Sequence, residues 1–134
     1  MAFAEKTRVP VDQTRAEIER TLLRYGASRF AYMTEGSRAV IMFEAGERRI
    51  RFELPLPDGD SDKAAQQRRQ KWRALLLCIK AKLESVQSDI ETFEDAFLAH
   101  VVMPDGRTVG EHARPMIARS YQEGKMIPLL PAPH

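Results

Sequence analysis

Between Ala27 and Leu54 apolar and polar residues alternate in three short runs, and the alternation breaks at Gly36 and Gly46. Period-two alternation marks strands with one buried face, and a glycine at each break marks a tight hairpin turn. The pattern predicts a three-stranded antiparallel meander with two-residue turns at Glu35-Gly36 and Ala45-Gly46. Turns there pair Tyr32 with Ala39, Phe30 with Ile41, Ile41 with Ile50 and Ala39 with Phe52, so apolar meets apolar. The opposite face pairs Met42 with Arg49, Val40 with Arg51 and Arg38 with Glu53, and also carries Arg29, Ala31 and Met33. Phe43 is the exception, because in this register it faces Arg48. Parity places Phe30 and Tyr32 on the core side, which favours packing over base stacking.

The flanking segments switch to helical spacing. Ile18, Leu22 and Tyr25 form one apolar stripe, opened at Pro10-Val11-Asp12 with Asp12 as the expected N-cap and stopped at Gly26. The loop Pro55–Asp60 leads to a long helix capped by Ser61 or Asp62. Its core stripe is Trp72, Leu75, Leu76, Ile79, Leu83 and Val86, and Ala74, Leu77, Cys78 and Ala81 are expected to bury a second flank. Thr92 with Asp95, and Thr108 with Glu111, read as capping boxes of two further helices, the second ending at Gly124 and interrupted by Pro115. Val101–Met103 reads as a short strand, and the tail with Pro128, Pro131 and Pro133 as extended.

These elements predict an α+β fold: a three-stranded antiparallel meander packed on a long helix, with an N-terminal helix and a small helical C-terminal section. The 134 residues suit a single domain, with a core over 12–87, a helical section over 88–125 and a Pro-rich tail over 126–134. No run of apolar residues approaches membrane-spanning length, the N-terminus has no apolar stretch like a signal peptide, and Cys78 is the only cysteine. A cytoplasmic setting is expected.

Charge sharpens the picture. Residues 1–82 hold 17 Lys and Arg against 11 Asp and Glu, whereas residues 83–134 hold 4 against 8. Arg29, Arg38, Arg49 and Arg51 share the outer sheet face, and the long helix adds Arg68, Arg69, Lys71 and Arg73, with no acidic residue between Lys63 and Lys82. Cations in such number are the usual footprint of phosphate binding. The competing reading is internal: the acidic C-terminal half covers this face, and the arginines meet Glu91, Glu94, Asp95 and Glu111.

No catalytic, cofactor or metal site is predicted. His100, His112 and His134 are too dispersed for a ligand pair, and Cys78 lies on an apolar flank where thiols are inert. Glu44, Glu53 and Asp58 lack the spacing and the nearby lysine of a metal-dependent nuclease, which ranks third among the functions considered.

Helix, three strands, helix over residues 12–87 resembles the order of double-stranded RNA-binding domains. That resemblance is one of topology: the first hairpin loop is short and carries no histidine, and RRQKWR at 68–73 is similar to their lysine cluster only in charge. TRAEIERTLLRYGA (14–27), RAVIMFEAGERRIRFELPLP (38–57), KWRALLLCIKAKLESV (71–86) and FLAHVVMPDGRTVGE (97–111) resemble an uncharacterised family of small phage and prophage proteins. The resemblance implies a bacterial host cytoplasm and assigns no functional residue. Two functions stay open: a nucleic-acid-associated accessory of replication or recombination, binding DNA or RNA, or an anti-CRISPR-like inhibitor that binds a host protein. The apolar residues on the outer sheet face also suit a homodimer.

Overall fold

A computed structural model describes residues 6–132; the first five residues, and Pro133 and His134 at the end of the predicted tail, lie outside the described residues. The elements run α1 (Val11–Tyr25), β1 (Arg29–Glu35), β2 (Arg38–Ala45), β3 (Arg48–Pro55), α2 (Asp62–Gln87), α3 (Phe93–Ala96), a 3-10 turn at Leu98–His100, and α4 (Val109–Glu123). The fold is α+β, with the meander in the order β1-β2-β3.

The register differs from the expected one by two residues at each hairpin. The loops are Gly36-Ser37 and Gly46-Glu47, closed by the pairs Glu35–Arg38 and Ala45–Arg48. Glycine therefore takes the first central turn position. Gly46 and Glu47 both have positive φ, 57° and 62°, as a type I′ turn requires. A shift of two leaves every side chain on its predicted face, but it changes the partners. Tyr32 lies opposite Ile41, Phe30 opposite Phe43, Ile41 opposite Phe52 and Ala39 opposite Leu54. Phe43 now faces Ile50, and Arg48 moves to the end of the ladder, where it meets Glu94 at 2.8 Å. Burying Phe43 against Ile50 rather than Arg48 is what favours this register.

The helices cover one side of the sheet. Ile18 and Leu22 of α1, Trp72, Leu75, Leu76, Ile79 and Leu83 of α2, and Phe97 enclose Ile41, Phe43, Ile50 and Phe52 in one core. Gly26 ends α1 in the left-handed region, with its N–H on the carbonyls of Leu22 and Leu23. Asp12 is not the N-cap: Pro10 holds that position, and Asp12 sits in the first turn, where it accepts from Arg15 at 2.5 Å. Ser61 caps α2 through Ala64 N–H. The expected second buried flank of α2 faces solvent, with Leu77, Cys78 and Ala81 exposed, because α1 covers only one side of that helix.

The chain after α2 wraps the β3 edge. Val101 bridges Ile50, Val102 N–H donates to the Arg49 carbonyl at 2.9 Å, and Val102 bridges Thr108, so the expected strand at 101–103 is reduced to isolated bridges. Thr108 and Glu111 form the reciprocal capping box of α4. Pro115 does not break that helix. It removes the donor that would reach the Glu111 carbonyl, and the Arg107 guanidinium donates there instead at 3.4 Å.

Candidate functional site: the outer sheet face

The face turned away from the helices presents Arg29, Ala31, Met33 and Glu35 from β1, Arg38, Val40, Met42 and Glu44 from β2, and Arg49, Arg51 and Glu53 from β3. All four predicted arginines lie on it, but none is free. Arg29 and Arg49 flank Glu44 at 3.4 and 4.0 Å. Arg38 meets Glu53 at 3.2 Å and Glu35 at 3.9 Å. Arg51 donates to the Gly106 carbonyl at 2.8 Å and to Glu111. Four guanidinium groups thus face four carboxylates, three of them on the same face, and the surface is balanced rather than basic. Of these four arginines only Arg51 meets an acidic residue of the C-terminal half among the described residues, Glu111; Glu94 pairs with Arg48, which lies outside this face, and Glu91 turns to Ser85.

The signal for this balance lay in the sequence. Glu35, Glu44 and Glu53 share the parity of the arginines on their own strands. The register correction then sets Glu44 between Arg29 and Arg49, a triad the expected pairing had split.

An apolar centre remains. Met33 is 55% exposed, Ala31 is exposed, Met42 is half-buried and Val40 is nearly covered. Beside it, Arg29, Ala31, Met42, Glu44 and Arg49 line an open hollow of about 600 Å³.

The four helix residues lie on the other side of the molecule, because α2 packs against the inner face of the sheet. They do not join the sheet arginines in one surface. Arg68 holds the loop before α2 through the carbonyls of Pro57 and Gly59 at 3.0 and 2.9 Å. Arg69 donates to the Gln66 side chain. Arg73 meets Glu17 at 3.2 Å and Lys80 meets the same carboxylate at 3.5 Å. Burial pushes Glu17 up, but Arg73 and Lys80 outweigh it and hold the carboxyl below its ordinary value. Lys71 is exposed and has no ion-pair partner among the described residues.

Among the described residues no three His, Cys, Asp or Glu side chains gather as a metal site. Glu44 and Glu53 are engaged by arginines and Asp58 lies in the loop beyond β3, so the three carboxylates do not converge. His100 stacks on Phe52 with ring centroids 4.0 Å apart, and burial, Lys82 and Arg114 lower its pKa against the Arg51 backbone. Cys78 is exposed on α2 rather than on a buried flank. No helix of the described residues is long and apolar enough to cross a membrane. Comparison of the chain with protein-family models, with curated proteins and with solved structures finds no match in any of the three.

Proposed function

We propose that this chain is a non-enzymatic binding protein, and that its outer sheet face recognises another protein. The carrying observation is the pairing of Arg29, Arg38, Arg49 and Arg51 with Glu35, Glu44, Glu53 and Glu111 around Ala31, Met33, Val40 and Met42. An apolar centre inside a rim of both charges suits a protein partner. A phosphate backbone requires cations in excess, and here each would have to leave a carboxylate first. The biological setting we propose, a phage or mobile element acting on a host protein in a bacterial cytoplasm, rests on the sequence resemblance alone.

Nucleic acid is the second reading, and α2 favours it. From Lys63 to Lys82 that helix carries no acid, and Arg68 and Arg69 donate to neutral acceptors, so their charge is not cancelled.

Fluorescence anisotropy with short single- and double-stranded DNA and RNA tests both, at about 50 mM salt where phosphate contacts are strong. Unchanged behaviour of Arg38→Glu/Arg49→Glu supports the protein reading of the face. Salt-sensitive binding that this variant abolishes overturns it. Binding lost only in Arg69→Glu/Lys71→Glu assigns nucleic acid to α2.

A further inference from the structure

The two edges of the sheet are not alike. Val102 N–H engages the outward Arg49 carbonyl on the free side of β3, whereas no backbone hydrogen bond among the described residues reaches the free side of β1. Leu56 N–H donates to the Ser37 carbonyl at 2.7 Å, which fixes the ladder: odd residues of β2 bond to β3, and even ones to β1. On β1, Arg29, Ala31, Met33 and Glu35 therefore turn their backbone groups to β2, while Phe30, Tyr32 and Thr34 turn theirs outward.

Exposed edges are normally blunted with lysine, proline or a bulge. β1 has none of these. It reads RFAYMTE, uncharged from Phe30 to Thr34, with a base at one end and an acid at the other. Six of its seven residues are exposed, and Tyr32 on the core side stays 46% exposed although the Arg15 guanidinium of α1 lies over its ring, 4.4 Å from the centroid.

We propose that β1 pairs antiparallel with β1 of a second copy, about a two-fold axis at Tyr32, joining two sheets into one of six strands. In that register Tyr32 meets the partner's Tyr32 and Phe30 meets the partner's Thr34, all as hydrogen-bonded pairs, so the outward backbone groups are used. Arg29 falls opposite the partner's Glu35, in a non-hydrogen-bonded pair where side chains lie closest. The same ion pair recurs at the other end by symmetry. The Arg29 and Glu35 side chains are 76% and 68% exposed, and to reach across they would share or exchange their outer-face contacts with Glu44 at 3.4 Å and Arg38 at 3.9 Å. Ala31 meets the partner's Met33, extending the apolar strip of the outer face. No other register in this direction satisfies both charges and aligns the outward groups. The pairing does not depend on what the outer face binds.

Sedimentation equilibrium of the full chain tests it, with no partner added. A dimer is expected at protein concentrations on the order of 10–100 µM, the range of a modest interface. Arg29→Glu leaves β1 with an acid at both ends, and Glu35→Arg leaves it with a base at both. Each alone sets like charges opposite one another and weakens dimerisation about tenfold or more. Mixed in equal amounts, the two variants restore it, because each supplies the other's complement. Thr34→Pro deletes an outward N–H without touching the β1–β2 ladder and also lowers dimerisation. Circular dichroism confirms that each variant is folded. A wild-type monomer across that range, single reversals that dimerise like wild type, or a mixture that stays monomeric overturns the pairing.

Discussion

The Arg51 guanidinium and the Glu111 carboxylate meet at the β3 edge, and the same carboxylate accepts from Thr108 N–H to close the capping box of α4. One side chain therefore starts a helix and anchors it to the sheet. Glu111→Ala should cost about 2–3 kcal/mol in denaturant unfolding, since it removes a cap and strands a half-buried guanidinium. Glu111→Gln keeps the capping acceptor and should cost about half as much.

The Thr108 N–H first, and Arg51 after it, hold the Glu111 carboxyl below its ordinary value of 4.5 despite some burial. Its contribution to stability is present above that value and is lost as pH falls through the folded one. The difference between wild type and Glu111→Gln should therefore shrink on acidification, measured by thermal melts across the acid range.

His100 gives a second pH dependence at higher pH. Burial is the main cause that lowers its pKa from 6.5. The unfolded chain thus takes up the proton first as pH falls, and stability declines from about pH 6.5 until the folded value is passed. His100→Phe keeps a ring against Phe52 and removes the proton, so the decline that sets in below about pH 6.5 should flatten.

At the second hairpin Glu47 holds a φ of 62°, which costs a residue with a Cβ about 1 kcal/mol. Glu47→Asn should raise stability by about 0.5 kcal/mol, because asparagine tolerates this region. The opposite sign in chemical denaturation would show that the turn is not of type I′.

Gly110 lies in the first turn of α4, where helix propensity favours alanine by about 1 kcal/mol. A Cβ there would sit 2.9 Å from the Ala99 carbonyl oxygen, a backbone atom that cannot step aside, and 2.9 Å from Arg114 Nη1. Sterics should win: Gly110→Ala is expected to lose about 1–3 kcal/mol by denaturant unfolding.

Parity was legible in the sequence and register was not. Alternation tells which face a residue takes, and a slip of two preserves that, so Ala39, Ile41 and Phe43 point inward under either pairing. Only the strand end discriminated: Phe43 against Arg48 was the mismatch, and moving glycine to the first turn position resolves it. Depth was less legible than direction. Tyr32 and Cys78 have the spacing of core residues, yet both are exposed: Tyr32 lies on the edge strand, where α1 meets it with the Arg15 guanidinium, and the flank of α2 that carries Cys78 faces solvent. The basic face failed for a different reason. The arginines stand out along the chain, whereas their neutralising glutamates lie across the ladder or, for Glu111, far along the chain in the capping box of α4.

Val102 on β3 has a consequence for assembly size. A sheet with two open edges behaves as a bifunctional monomer and can polymerise without limit. Closing one edge makes it monofunctional: a single strand addition consumes the reactive end and growth terminates. The short 101–102 segment would act in this protein as a chain stopper, limiting edge-to-edge growth to a pair and keeping it from filaments.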